Sequence, residues 1–269
     1  MAAAKSRQEG IVVLLTGGSG FLGTAIVREI LVEASPVQVK ELRVFDLETM
    51  NHTGDARIKF IQGDVRDQEA VLEASQGAEL VIHAAAVVDW GTRSEEEVLA
   101  VNHQGTLHVI GACKSNGVKA LVYTSSLDVL YDGNPLVDVD EHTPYPDRHA
   151  TSYCNSKYLG EKSVLEANGD GLRTCSLRPA DIYGEGDPYH IGSLIDMAKG
   201  GFYVRLGNGR AKCQHIYVRN MAHAHVLAAA ALLEGSGKVD GQAYFLTDGP
   251  ASNFFSFFDA FVEGSGYRI

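Results

Sequence analysis

Tyr153 and Lys157 stand four residues apart in the segment Tyr153-Cys154-Asn155-Ser156-Lys157. On a helix that spacing puts both side chains on one face, about one turn from each other. A phenol with an ordinary pKa near ~10 is about 0.1% ionised at neutrality. Making it a base at pH 7 needs about 4 kcal/mol. An ammonium ~4 Å away in a half-buried site supplies about that much. The pair can therefore take a proton from an alcohol. The spacing is common on ordinary exposed helices, so its meaning depends on what else the chain carries.

A second motif lies near the N-terminus. The apolar, β-rich run Ile11-Val-Val-Leu-Leu-Thr16 leads straight into Gly17, Gly18, Gly20 and Gly23. Such a run predicts a buried parallel strand. The following residues, Thr24 to Glu33, have helical composition. Strand, glycine turn and helix form the context in which a dinucleotide pyrophosphate is bound. The glycines let the backbone approach the phosphates, and the helix start offers unpaired N–H groups. Gly17, Gly20, Phe21, Leu22 and Gly23 are the expected cofactor residues of this turn. The next predicted strand, Leu42-Arg-Val-Phe-Asp46, ends in an acid. Asp46 can accept hydrogen bonds from a ribose 2′-hydroxyl and would repel a 2′-phosphate. Leu47 follows it, with no basic residue in that place, so NAD is expected over NADP.

These motifs need a sheet to hold them. Strands are predicted at 11–16, 42–46, 58–61, 80–84, 119–125 and 173–178. Helices are predicted at about 21–33, 67–75, 95–116 and 152–168. The alternation is that of an α/β fold, a doubly wound parallel sheet of Rossmann type. Beyond Gly184 the rhythm breaks. A strand at 214–218, a helix at 220–233, a strand at 243–247 and a helix at 253–263 are expected there. The division that follows is a nucleotide-binding domain over 1–183 and a smaller substrate-covering region over 184–269.

The chain of 269 residues is long enough for one sizeable core or a large domain plus a small one. Its net charge of −11 argues against a nucleic-acid surface. No apolar run reaches the roughly 18 residues of a membrane span, and Met1 to Gln8 has no apolar signal region and reads as a disordered tail. The four cysteines form no Cys-x-x-Cys pair, which suggests reduced thiols in a cytoplasmic or cytosol-facing compartment. The ten histidines show no metal-ligand spacing, and no metal is expected. His215 is expected to be a satisfied core histidine. Asp89 and Asp128 are expected to be structural or solvated, and Asp181, Glu185 and Asp187 loop carboxylates.

With these motifs placed, the chain resembles the extended short-chain dehydrogenase/reductases, and within them the 3β-hydroxysteroid dehydrogenase family. The resemblance rests on Thr16-Gly-Gly-Ser-Gly-Phe-Leu-Gly23, Gln62-Gly-Asp-Val65, Val81-Ile-His-Ala-Ala-Ala86, Val101-Asn-His-Gln-Gly-Thr106 and Val122-Tyr-Thr-Ser-Ser126. It continues through Tyr153 to Lys157, Leu177-Arg-Pro-Ala-Asp-Ile-Tyr-Gly-Glu-Gly186, Ile216-Tyr-Val218 and Gly241-Gln-Ala-Tyr244. It implies that Asp64 and Val65 hold an adenine and that Ala84 and Ala85 let the backbone pass close to the cofactor. It implies that Pro179 and Ile182 pack beside the nicotinamide and that Asn102 sits near the active site, holding a backbone kink or a water. Ser126 is the implied serine that binds the substrate oxygen, with Ser125 the runner-up.

The implied reaction is oxidation of a 3β-hydroxysteroid or sterol to the 3-ketone. Tyr153 is the base. Lys157 lowers the phenol's pKa and binds the nicotinamide ribose, and Ser126 orients the alcohol. Decarboxylation of a sterol-4α-carboxylate or a Δ5–Δ4 isomerisation can accompany it. The small apolar alcohol is expected to enter over Val87, Val88 and Trp90, under a loop near Tyr189. Family members run on beyond the point where this chain stops. The resemblance therefore allows a missing C-terminal part that associates with a membrane such as the endoplasmic reticulum, and it allows a homodimer. Two other readings stay open on the same scaffold. One is a nucleotide-sugar epimerase or dehydratase, for which Lys199, Arg205, Arg210 and Lys212 could hold a diphosphate. The other is a dinucleotide-sensing module without catalysis, and such modules commonly lose the tyrosine or lysine that this chain keeps.

Overall fold

A computed structural model of the chain describes residues 10–49, 54–89, 91–201, 203, 205 and 207–269. The expected N-terminal tail and Trp90 lie outside the described residues. Seven strands form one parallel sheet: β1 (Ile11–Thr16), β2 (Val39–Asp46), β3 (Ile58–Gln62), β4 (Leu80–His83), β5 (Ala120–Thr124), β6 (Arg173–Pro179) and β10 (Gln242–Leu246). Their order is β10-β6-β5-β4-β1-β2-β3. The chain leaves β1 toward β2 and β3, then returns to its other side for β4. The carboxyl ends of β1 and β4 therefore flank a topological switch point, where ligands of such sheets bind.

The apolar runs make these strands because both faces of the sheet are covered. Val13 and Leu15 point into a core shared with Ile26, Val27 and Ile30 of α1 (Phe21–Ile30) and with Val226 and Leu232 of α7 (Val218–Glu234). Leu14 points the other way. It packs with Val71 of α2 (Gln68–Ala74), Val109 of α4 (Gly105–Ser115) and Val164 of α5 (Ser152–Glu166). The two-residue period of a strand feeds both cores from one sequence.

The segment expected as one helix over 95–116 is instead α3 (Glu95–Leu99), a π turn (Ala100–Gln104) and α4. Ser94 and Glu97 form a capping box that starts α3. α3 packs on α5, and α4 packs on both α2 and α5.

The expected division at 183/184 does not coincide with the sheet. After Gly184 the chain forms α6 (Ile191–Lys199), β8 (Lys212–Cys213) and β9 (His215–Tyr217), then comes back as α7 and β10. α7 packs on α1, and β10 pairs with β6. Both belong to the main layer because α7 carries a buried stripe (Met221, Ala222, Val226, Ala229) that the sheet must cover. The pieces that do stand apart are β7 (Asp181–Tyr183) paired with β9, β8 paired with β11 (Ser252–Asn253), α6, and α8 (Phe254–Gly264). At the edge of the main sheet, Phe245 N donates to the Glu141 carboxylate at 2.9 Å. No helix among the described residues is long and apolar enough to cross a membrane.

Candidate active site

A cavity of about 540 Å³ opens at the switch point. Gly17, Gly20, Phe21, Leu22, Gly23, Asp46, Asp64, Val65, Ala84 and Ala85 line one end, and Ser126, Tyr153, Lys157, Pro179 and Ile182 the other. Of the residues singled out in the sequence for catalysis or cofactor binding, only Asn102 does not line it.

The glycine turn is set by sterics. Gly17 has φ +73°, and a Cβ there would stand 2.6 Å from the backbone of Ala85. A Cβ on Gly23 would stand 2.0 Å from the carbonyl oxygen of Gly17. Only glycines let β1, α1 and the end of β4 meet this closely. No side chain caps α1, whose N-cap is Gly20, so its first N–H groups are left for a ligand. Asp46 Oδ2 accepts from Ser19 N at 2.9 Å, and Oδ1 accepts from Leu47 N at 2.7 Å. The acid thus braces the glycine turn while facing the cavity. Asp64 is gripped by Arg66, at 2.8 Å from Nε and 2.5 Å from Nη2. That guanidinium holds the Asp64 carboxyl below its usual range.

Behind this end runs a chain of buried hydrogen bonds. Thr106 Oγ1 donates to the Asn102 carbonyl at 2.7 Å, so its proton is not available to His83. His83 Nε2–H must then donate to Thr106 Oγ1 (3.0 Å), and His83 Nδ1 accepts from Thr16 Oγ1 (2.6 Å). Burial first, and the Lys157 charge second, push the His83 pKa down to about 3. The imidazole therefore stays neutral as a strut between β1, β4 and α4.

Asn102 belongs to this scaffold. Its side-chain amide accepts from Val87 N (2.7 Å) and donates to Val87 O (2.9 Å) and Ser156 Oγ (3.0 Å). It mimics a strand partner for the loop after β4 and ties that loop to α5. With its amide committed to these protein groups, it positions the cavity wall.

α5 presents the Tyr/Lys pair. Thr151 caps it, accepting from Cys154 N. Glu161, fully buried and one turn past Lys157, forms a salt bridge with Arg178 at 2.8 Å and accepts from Ser176 Oγ (2.6 Å) and Tyr145 Oη (2.8 Å). This network bolts the helix to β6. Lys157 is buried, donates to the Thr124 carbonyl at 2.5 Å and lies 4.4 Å from the centre of the Tyr123 ring. Burial pushes its pKa down to about 7, against the pull of Glu161.

The expectation that Lys157 lowers the Tyr153 pKa does not match the geometry. Tyr153 is raised above the ordinary phenol value, by burial first and then by the charge of Asp128, and a hydrogen bond with Ser126 opposes the rise. Lys157 lies one turn from Tyr153 on α5 but directs its ammonium to the Thr124 carbonyl.

Ser126 starts a short 3₁₀ turn, Leu127–Leu130. Its hydroxyl donates to Asp128 Oδ2 at 2.9 Å and accepts from Asp128 N at 3.1 Å. Ser125 is buried, and its hydroxyl has no hydrogen-bond partner among the described residues. Asp128, expected to be structural or solvated, lines the cavity instead. Burial, followed by the nearby Asp181 charge, raises its pKa. A carboxylate two residues past the chosen serine is the signal in the sequence that points to it. Asp89 is structural as expected, accepting from Gly91 N, Thr92 N and Arg93 N. Asp187 starts α6 by accepting from the N–H groups of Tyr189, His190 and Ile191.

The opposite wall is less settled. Asp181 of β7 lies opposite His215 of β9, and Cys213 Sγ donates to Asp181 Oδ2 at 2.9 Å. His215 is buried, as expected, but it is not satisfied. Neither ring nitrogen has a hydrogen-bond partner among the described residues, and the ring stacks on Phe257 with centroids 3.8 Å apart. Spacing along the sequence does not reveal this trio, because Asp181 stands on β7, more than thirty residues before Cys213 of β8 and His215 of β9.

The profile of the 3-beta hydroxysteroid dehydrogenase/isomerase family matches residues 14–269. The 3beta-hydroxysteroid-dehydrogenase/decarboxylase isoform 1 of Arabidopsis thaliana is 38% identical over 274 residues, covering 95% of this chain and 61% of that protein. The chain thus spans less than two thirds of that relative. The 3 beta-hydroxysteroid dehydrogenase type 7 of Homo sapiens is 40% identical, with 99% of this chain and 76% of that protein covered. Among solved structures, a dTDP-glucose 4,6-dehydratase from Streptomyces venezuelae with NAD and TYD bound superposes with TM-score 0.83 at 22% identity, over 96% of this chain and 82% of that one. The UDP-glucose 4-epimerase of Thermus thermophilus complexed with NAD gives 0.77 at 26% identity, over 96% and 84%. These structures share the doubly wound scaffold, while the family profile and the more similar sequences place the chain more narrowly: it belongs to the 3-beta hydroxysteroid dehydrogenase/isomerase family.

Proposed function

We propose that this chain oxidises a 3β-hydroxyl of a sterol or steroid to the 3-ketone, using NAD. The observation that carries this reading is one cavity in which the glycine turn and Asp46 meet Ser126, Tyr153 and Lys157. The residues fit the cofactor. Gly17 and Gly23 make a close backbone cradle, the α1 N-terminus has no side-chain cap, and Asp46 disfavours a 2′-phosphate. NAD, when bound, supplies the hydride acceptor.

The protein's part is to hold the alcohol and move its proton. Ser126 donates to the Asp128 carboxylate and accepts from Asp128 N, which leaves one lone pair to accept from the alcohol or from Tyr153. Tyr153 Oη takes the alcohol proton. Burial and Asp128 favour the protonated phenol, which suits Tyr153 as the acid of the reverse reaction. Lys157, held on the Thr124 carbonyl one turn from Tyr153 on α5, is placed to bind the nicotinamide ribose. Where the carbon next to the alcohol carries a carboxylate, oxidation makes a β-keto acid that loses CO₂ with little further help. The dehydrogenase/decarboxylase name of the Arabidopsis relative supports that variant.

The substrate end of the cavity is faced by Val87, Val88, Leu127, Ile182 and Tyr189. An apolar ring system fits it better than sugar hydroxyls, which would be left unpaired there. Lys199, Arg205, Arg210 and Lys212, on which a diphosphate would rest, do not line it. Lys199 pairs with Asp196 and Arg205 with Asp259. In this reading β7–β9, α6 and α8 cover the substrate.

The test is NADH formation with a 3β-hydroxysterol, its 4-carboxylate, UDP-glucose and dTDP-glucose. Turnover of a sterol is the expected result. Turnover of a sugar nucleotide alone would replace the reading with an epimerase or dehydratase, and cofactor binding without turnover of any of them would favour a sensing module. Asp46→Ala should weaken NAD about tenfold, the loss of one to two hydrogen bonds to a charged group, and narrow its advantage over NADP. Calorimetry with both cofactors measures this.

A further inference from the structure

The β7–β9 wall brings together three side chains that nothing in the dehydrogenase chemistry requires. The register sets Asp181 directly opposite His215, and Cys213 precedes His215 by two residues. In extended chain, residues two apart point to the same side. One ligand atom from each of Asp181, Cys213 and His215 therefore falls within 4.8 Å of the others. A tetrahedral zinc ion with bonds of about 2.0–2.3 Å sets its ligand atoms about 3.3–3.6 Å apart. The Cys213–Asp181 contact of 2.9 Å and the 4.8 Å limit bracket that range. Side-chain movements of about an ångström close the triangle.

A second, independent observation points to a ligand. His215 is 6% exposed, and both its ring nitrogens are sealed from water without a hydrogen-bond partner. A buried polar group left unpaired costs about 1–3 kcal/mol. Stacking on Phe257 would be served equally by an apolar ring, so packing does not explain a histidine here. The charges around it are also unbalanced. Asp181 and Asp128 act on each other and on the Cys213 thiol. Neither carboxylate forms a salt bridge among the described residues. Converging acids, a thiol and an unpartnered imidazole lack the same thing, a cation.

We propose that Asp181, Cys213 and His215 form a binding site for a divalent transition-metal ion of the zinc class, with its fourth position left to water or to a ligand in the cavity. The donor set decides the metal. One thiolate, one imidazole and one carboxylate suit zinc or cobalt, whereas calcium and magnesium demand oxygen ligands. Three protein ligands leave one coordination position open, and Asp181 places that position at the wall of the main cavity. Binding replaces the Cys213 S–H bond, now donated to Asp181, by a metal–sulfur bond and releases one proton to solvent.

The test uses the full chain without a tag, treated with chelator, desalted and supplied with zinc or cobalt chloride. One equivalent of zinc should remain after gel filtration. Cobalt should give tetrahedral d–d bands together with a near-ultraviolet thiolate-to-cobalt band. Cys213→Ser should abolish the thiolate band, and His215→Ala should weaken zinc at least about tenfold, the lower end of what even indirect changes cause at metal sites. Cys154→Ser should leave the band in place. Should a variant fail to fold, the wild type still decides. Bound zinc should protect Cys213 from alkylation, read by peptide mass spectrometry, while Cys213 reacts in the stripped protein. Zinc retention below about a tenth of an equivalent, or equal retention by Cys213→Ser and His215→Ala, overturns the site and marks any bound metal as adventitious.

Discussion

Around His83, on the β1–β4 wall of the cavity, each ring nitrogen meets a threonine hydroxyl. Around His215, on β9, neither has a hydrogen-bond partner among the described residues. Both rings are buried. On the first wall the polar groups are committed to one another: Thr16, His83, Thr106, Asn102 and Val87 form a continuous chain. Such a wall keeps its shape whether or not a ligand is present. On the second wall Asp181, Cys213, His215 and Asp128 share little beyond one thiol hydrogen bond and mutual repulsion. That wall retains bonding capacity. The contrast assigns the first to geometry and the second to whatever the cavity receives.

The largest effect belongs to the seam between the walls. Tyr153→Phe should lower turnover by about 10²–10⁴ while NAD affinity stays within a few-fold. Steady-state NADH formation and calorimetry separate the two quantities. A residual rate above about a tenth of wild type would remove Tyr153 as the base.

Breaking the committed side should cost stability directly. Glu161→Ala leaves Arg178 buried without its carboxylate, and the loss should be about 3–5 kcal/mol in urea unfolding. A loss below about 1 kcal/mol would mean that α5 is held to β6 by packing alone.

Lys157 gives a pH signature. Its folded pKa is lowered to about 7 from 10.5. Between those values the unfolded chain binds a proton that the folded chain does not. Stability should therefore rise as pH goes from 7 toward 10.5, by up to about 1.4 kcal/mol per pH unit from this group. Lys157→Met should remove that slope. Urea unfolding of both proteins at several pH values measures it, and parallel curves would show that the Lys157 proton is retained.

The smallest effects sharpen the comparison most. His83→Phe strands the Thr16 hydroxyl and should destabilise by about 1–3 kcal/mol. In chelator-treated protein, His215→Phe removes two unpaired nitrogens and keeps the stack on Phe257. It should change stability by less than about 1 kcal/mol, in the stabilising direction. Thermal unfolding of the pair in parallel reads the difference, and equal losses would erase the distinction between the walls.

What the sequence discloses follows from local spacing. The glycine turn, Asp46 at a strand end and Tyr153 with Lys157 are legible because each is contained within one element and its exit. The alternation of elements up to β6 is legible for the same reason. Less visible is anything that depends on a partner far along the chain. β10 joins the main sheet because β6 offers a free parallel edge, which no composition near 242 reveals. α6 goes unpredicted, since its start depends on Asp187 capping three N–H groups from a loop. His215 and Asp181 lie far apart in sequence and meet only through strand register. The Lys157 ammonium sits one turn from Tyr153, as spacing requires, yet the Thr124 carbonyl decides where it points.

The π turn at Ala100–Gln104 has a consequence for how the rod α3–α4 can change over time. A wider turn shifts the rotational phase of everything beyond it, so the rod meets α5 before the turn and reaches α2 as well as α5 after it. Removing one residue there would restore uniform phase, and no side-chain repair elsewhere could keep both contacts. Substitutions along this rod can be absorbed singly. Changes of its length between residues 95 and 115 cannot, and in this stretch the chain is locked in count more than in kind.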